Sequence, residues 1–341
     1  MARRSSLMSR RSRTMAPPLA LGLLAAGLAA AMVLSLLIGS GSLTPAQVWH
    51  GLSGAPGAAA DILGTIRIPR TVFAVVLGAA LGLAGALTQG YTRNPLADPG
   101  LLGITQGAAL AVVLAITVFG FTSPTAYVWF AFLGAALAAA MVFAIAGLGS
   151  GASPLSVVLV GAGISVSLSA VTGAIALSDR TSLDALRFWG AGSVGGLAWP
   201  ILRVVLPFLV IGFVLAALCA PVLNALDLGD DVAAALGVQV FRGRLVGILT
   251  VTLLAGAATA ACGSIAFLGL MVPRLARALT GPDYRWLLPC SALIGAVILL
   301  AADIVGRVTV RPGELPAGIV VALLGAPFFL AVVLWRKAGA R

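Results

Sequence analysis

Charge is what this sequence has least of. Only 9% of its 341 residues are Asp, Glu, Lys or Arg, against about 25% in soluble proteins, and 60% are hydrophobic. No water-soluble fold of this size hides that much apolar surface. Histidine is nearly missing: His50 stands alone, which excludes a histidine-cluster metal site. The three cysteines, Cys219, Cys262 and Cys290, lie in or beside apolar segments without metal-ligand spacing, so they read as small core residues. The glycine-rich loop with Lys and Ser/Thr that cradles ATP phosphates is missing. So is the strand alternation of an outer-membrane barrel. No catalytic set stands out, and no residue pattern calls for a metal or other cofactor.

What is there are apolar runs of about 18 residues or more, the length that crosses a bilayer as helix. Ten fit the chain, at roughly 19–38, 70–90, 100–120, 127–148, 155–178, 200–220, 244–262, 265–279 (short), 286–305 and 315–335. They predict an all-α polytopic membrane protein with one ten-helix domain over 17–337, a basic tail at 1–16 and a short tail at 338–341. The first run is longer than a signal-peptide core and is read as a retained helix.

Charge tests this count. With the N-terminus in the cytoplasm, fourteen of the 21 basic residues fall on the inner side. Seven stay outside: Arg67, Arg70, Arg180, Arg187, Arg203, Arg307 and Arg311. That inward bias is the usual signature of membrane topology. It also accounts for the net charge of +11 without nucleic acid. No span holds a carboxylate well inside it, and Asp303 is near an end. A proton- or sodium-coupled carrier normally needs such groups, so a secondary transporter without an ATPase loses weight. Gly78, Gly82 and Gly85 share one helical face, as small residues do where membrane helices pack closely.

Three polar segments interrupt the apolar pattern. Residues 223–244, LNALDLGDDVAAALGVQVFRGR, are too polar to span. A short helix is predicted there, capped by Asp227, with Asp230 and Asp231 in its first turn and its end at Leu236 and Gly237. It suits either a docking knob for a soluble partner or a plain surface loop. Residues 88–107, TQGYTRNPLADPGLLGITQG, carry Pro95 and Pro99. Pro95 turns Asn94 away from helix, and Asp98-Pro99-Gly100 suits a turn and helix start. Irregular backbone at membrane depth fits the lining of a pathway, or a turn covered by protein. GLGSGASPLS, 147–156, is a similar break. On the outer side, Arg67, Arg70, Arg307 and Arg311 run against the charge bias. Lipid phosphate, a partner carboxylate, or pairing of Asp303 with Arg307 at i, i+4 would each explain an arginine there.

Seven pieces taken together resemble the FecCD-type permeases of bacterial ABC importers for ferric siderophores, haem and cobalamin. They are RIPRT (67–71), QGYTRNPLADPGLLGI (89–104), FWGAGSVGGLAW (188–199), LGDDVAAALGV (228–238), GSIAFLGLMVPRLAR (263–277), LLAADIVGR (299–307) and ELPAGIV (314–320) followed by GAPFF (325–329). The resemblance implies a cobalamin-importer-like bundle that works as a pair, with an identical or sister permease chain, and a pathway between the two. Two ABC ATPase subunits would sit below and an extracytoplasmic solute-binding protein above. Gly229, Asp230, Ala233, Leu236 and Gly237 would then face the ATPase. Asn94 and Leu96, with Ser153 from the second break, would form the cytoplasmic gate. Arg67 and Arg307 would meet carboxylates of the binding protein. ATP hydrolysis would lie on the separate subunit, so this chain itself is not expected to be an enzyme. Ferric siderophore is the first substrate reading, haem or cobalamin the alternative. Three positions depart from the family's usual residues: Arg274 stands in place of His, Asp230 in place of Glu, and Thr105 in place of Ser.

Overall fold

The computed structural model describes residues 15–39, 43–147, 154–196, 199–311 and 313–338. Their regular structure is all helical, with no strand among them. Ten helices answer to the ten apolar runs: α1 (Pro17–Leu37), α4 (Ile68–Thr92), α5 (Ile104–Thr117), α6 (Pro124–Ala146), α7 (Pro154–Ser178), α9 (Trp199–Leu226), α11 (Val240–Cys262), α12 (Leu268–Thr280), α13 (Tyr284–Thr309) and α14 (Ala317–Ala338). Seven of the described helices are long and apolar enough to cross a membrane, and α5 and α14 add shorter apolar helices. The basic tail over 1–14, the Ser153 region and 339–341 lie outside the described residues.

Four short helices were not foreseen from hydropathy, or were foreseen only in part: α2 (Pro45–Leu52), α3 (Ala58–Ile62), α8 (Arg180–Ala191) and α10 (Asp230–Ala235). Of these only α10 was expected. A π-turn over Leu63–Arg67 leads from α3 into α4.

The bundle is built around α4, whose apolar stretch is 78% buried, whereas that of α1 is 11% buried and lies at the periphery. The glycine stripe explains how α4 becomes central. Gly78 faces the backbone of Gly295 and Ala296, Gly82 the carbonyl of Ser291, and Gly85 the backbone of Gly269. A methyl group at any of the three would run into a neighbouring carbonyl. Leucine against leucine gains little in lipid, so close backbone approach supplies the attraction. The stripe therefore seats α4 on α13 and α12. Gly107 and Gly134 do the same for α5 and α6.

Helix α12 is short because its entry is not helical. Phe267 has a left-handed backbone (φ 66°), and the chain ahead of it runs against the end of α8. Ser264 N–H donates to the Trp189 carbonyl (3.1 Å) and Ser193 N–H to that of Cys262 (2.8 Å). Within α12, Pro273 lacks the N–H that would bond the Gly269 carbonyl. Gln89, buried on α4, reaches across instead: its Nε2 donates to Leu270 O (3.1 Å) and, more weakly, to Gly269 O (3.4 Å). A proline in a membrane helix is tolerated where a neighbour satisfies the freed carbonyl in this way.

Candidate functional site

One end of the bundle gathers α10, the ends of α4 and α9, and the starts of α11 and α13. Helix α10 is only six residues long, yet both its ends are defined. Gly229 is its N-cap (φ 112°), so Asp227 is not the capping residue expected from sequence. Asp227 instead follows the last turn of α9, and burial pushes its carboxyl above the usual range despite the nearby Arg277 and Arg93. At the other end Val238 N–H donates to Ala233 O (3.0 Å) and Gly237 N–H to Ala234 O (2.9 Å). This pair of bonds needs a left-handed residue after the helix, and Gly237 supplies it at φ 84°.

The knob thus formed has a seated side and a free side. Ala233, expected to face a partner, is fully buried, in the core with α9 and α11. It anchors the knob, because its small side chain lets the helix lie close. Leu236 is 64% exposed, and Leu228, Val232 and Phe241 are exposed with it. These last three apolar side chains were not singled out in the sequence. The spacing of Leu228, Val232 and Leu236 at every fourth residue was the available signal.

The RNPLA loop stands beside this knob. Arg93 ends α4 in a left-handed conformation (φ 46°). Asn94 Oδ1 then accepts from Leu96 N–H (3.0 Å), and the Asn94 carbonyl accepts from Ala97 N–H (3.0 Å). Asp98 Oδ1 accepts from Gly100 N–H (2.8 Å) and starts the 3₁₀ turn Pro99–Leu102. Burial raises the Asp98 carboxyl, and the Gly100 N–H partly opposes this. Both prolines act as the sequence implied. The turn leans on two helices: Gly269 of α12 lies against Pro99 and Asp98, and Gly161 of α7 against the Leu101 carbonyl. Between the loop, the end of α9 and α12 lies a cleft of about 530 Å³, lined among others by Arg93, Pro95, Asp227, Arg274 and Arg277. Of the three expected gate residues, Asn94 and Leu96 share this loop turn, and Ser153 is outside the described residues.

At the opposite end the outward arginines find a common explanation. Helix α1 ends with carbonyls that no later turn of helix bonds. Arg307 Nη1 donates to Ser35 O (2.9 Å) and Ile38 O (3.1 Å), and its Nη2 to Ser35 Oγ (2.8 Å). Arg67 Nη1 donates to Leu37 O (2.9 Å) and also to Leu36 O, while Arg311 Nη2 donates to Gly39 O (3.0 Å). Three guanidiniums thus sit at the negative end of a helix, where cations are favoured. Asp303 lies among them, pairing with Arg307 and taking Arg70 in two-pronged fashion at 2.7–3.0 Å. Glu314 holds the other branch of Arg70 (2.5 Å).

Arg67 and Arg307 are therefore not presented to the outside: they are 5% and 2% exposed. Of the alternatives open in the sequence, pairing of Asp303 with Arg307 is the one found. Capping of α1 was not foreseen, because nothing local marks a helix end supplied with donors from residues 31 and 272 positions away.

Helix α7 leaves hydroxyl side chains uncovered along an apolar stretch. Its apolar stretch is only 22% buried. The exposed positions include Gly163, Ser167 and Ser169 beside Val166 and Val171. Hydroxyl and small side chains suit a second chain or a watery route better than lipid tails.

Comparison with known proteins fixes the frame. The FecCD transport family model matches residues 27–335. The chain belongs to the FecCD transport family. It is 45% identical to the ferric enterobactin transport system permease protein FepD of Escherichia coli, over 91% of this chain and 93% of that one. It is 41% identical to the hemin transport system permease protein HmuU of Yersinia pestis, over 80% of this chain and 83% of the relative. Among solved structures, an inward-facing metal-chelate type ABC transporter aligns with 94% of this chain and 99% of its own, with a TM-score of 0.82 and 31% identity. The FecCD chain is accordingly an all-helical, multi-pass membrane permease of the ABC importer type, and the ten-run reading of its sequence agrees with that fold.

Proposed function

We propose that this chain is one of two membrane subunits of an ATP-driven importer that carries a ferric siderophore across a bacterial cytoplasmic membrane. Both termini lie on the cytoplasmic side in this reading. The observation that carries it is the full-length similarity to a ferric enterobactin permease, joined to a knob and an irregular loop set side by side at one end of the bundle.

The exposed side of the knob, with Leu236, Gly237, Gly229 and Asp230, meets one of two ATPase subunits, where ATP is hydrolysed. Seated Ala233 keeps the knob rigid against α9 and α11. Asn94 and Leu96 form one lip of the gate, and the segment around Ser153 the other. A solute-binding protein delivers the substrate at the opposite end. The work of transport comes from the ATPases binding one conformation of the pair more tightly than the other when nucleotide is present.

Docking of the binding protein on Arg67 and Arg307 requires these guanidiniums to leave the α1 carbonyls first. The reading therefore gives them a primary role in holding α1. Arg67→Glu is expected to weaken docking, more so at low salt where charge effects reach farther. Unchanged affinity in a binding assay removes Arg67 from the interface.

The deciding experiment is uptake of iron-labelled catecholate and hydroxamate siderophores, and of haem, by a deletion strain with and without this chain restored. Loss of siderophore uptake alone supports the proposal. Loss of haem uptake alone moves the substrate to haem, a reading kept because of the hemin permease relative. Transport by the purified chain without nucleotide or companion proteins would restore the secondary-carrier reading.

A further inference from the structure

Arg93 joins three elements that the fold could have left separate. Its Nη2 donates to the last carbonyl of α9, Leu226 O (2.6 Å), and to Asp230 Oδ1 at the start of α10. The other carboxylate oxygen of Asp230 accepts from Arg244 Nη2 of α11 (2.8 Å). Arg93 is also the residue directly before Asn94, and its own backbone is the bend from which the RNPLA loop departs.

Two features argue that this linkage serves motion rather than stability. The side chains of Arg93 and Asp230 are 36% and 41% exposed, and ion pairs so open to water add little to stability. Arg93 moreover holds a left-handed backbone (φ 46°, ψ 30°), which is strained for a residue with a β-carbon. Glycine is the usual occupant after a helix, and this chain uses 42 of them. An arginine here spends stability to place a guanidinium beside α10.

We infer that Arg93 is a positioning residue that transmits displacement of the α10 knob to the cytoplasmic loop at Asn94–Leu96, through its bond to Asp230. When α10 shifts, Asp230 pulls on a side chain whose backbone is the hinge of the loop. Arg244 holds the other oxygen, so the carboxylate moves with α11 as well and cannot simply swing free. This deepens the importer reading above and rests on it.

The test uses the complete assembly, a pair of these chains with its ATPase subunits, in liposomes. A Leu96→Cys reporter is labelled with a water-soluble maleimide, with and without ATP. Background is low because Cys219, Cys262 and Cys290 are buried. In the parent assembly ATP changes the labelling rate. Arg93→Gln is expected to shrink that change about fivefold, the equivalent of about 1 kcal/mol of lost coupling. Asp230→Asn shrinks it similarly, the double variant shrinks it no further, and Arg93→Lys recovers part of it.

An ATP response in Arg93→Gln equal to the parent's overturns the inference, as does a double variant whose loss is the product of the single ones. Loss of ATPase co-purification in Arg93→Gln overturns it too, since the residue then builds the docking site instead of transmitting motion. If the parent gives no ATP response, the importer reading itself falls, and the link falls with it.

Discussion

Asp303 carries more of this structure than any other single carboxylate. It is 1% exposed and shared by Arg70 and Arg307. Breaking a buried ion pair by removing one partner costs roughly 3–5 kcal/mol, because the other charge is left without compensation. Asp303→Asn is therefore expected to lower thermal stability in detergent sharply. Asp303→Leu with Arg307→Met, which withdraws both charges, is expected to cost less than Asp303→Asn. A greater loss in the double variant, which also removes the Arg307 cap on α1, would show that capping, not charge balance, dominates. Gly237 is a second position where the residue is chosen by its surroundings, here by the backbone. A side chain at φ 84° is strained by about 1–2 kcal/mol, on a six-residue helix with little to absorb it. Gly237→Leu is expected to reduce uptake per ATP hydrolysed in the reconstituted assembly, with the ten-helix bundle still folded by circular dichroism. Uptake at the parent ratio would reject a coupling role for the knob.

At the scale of elements, Gln89 shows how one helix completes another. Its amide bonds Leu270 O and, more weakly, Gly269 O, the carbonyl that Pro273 leaves without a helical donor. An unsatisfied buried carbonyl costs about 1–3 kcal/mol, so Gln89→Leu is expected to lower the unfolding midpoint. Gln89→Leu with Pro273→Ala, which returns the N–H, is expected to regain part of that loss. The long helices, the glycine stripe on α4 and the bend at Asn94-Pro95 were legible in the sequence because each is written locally, in run length, spacing or a proline. Helix α8 was not. It is short and polar on one side, with Asp179 capping it through Ser182 N–H (2.8 Å), and a hydropathy window passes over it. The capping of α1 was illegible for another reason: its donors come from distant parts of the chain. The site divided in the same way. The knob and loop were readable as segments, whereas their junction through Arg93 and Asp230 appears only when the ends of α4 and α9 meet the start of α10.

For the whole molecule, the contrast between α4 and α7 sets the expected arrangement of a pair. One helix is enclosed by its own chain, and the other leaves serines and a glycine uncovered. A Ser167→Cys variant treated with a bulky thiol reagent is expected to lose most of its uptake, and a small methylating reagent to spare it. Full uptake after the bulky reagent would turn this face of α7 toward lipid.

The three guanidiniums at the end of α1 also bear on how the chain is made. Helix α1 leaves the ribosome well before α13, and two of its anchors, Arg307 and Arg311, emerge only after α13 is nearly complete. Until then its last carbonyls have Arg67 alone. A helix that enters the bilayer before α13 is thus fastened only after it, and a nascent chain halted before residue 307 carries α1 as a loosely moored segment.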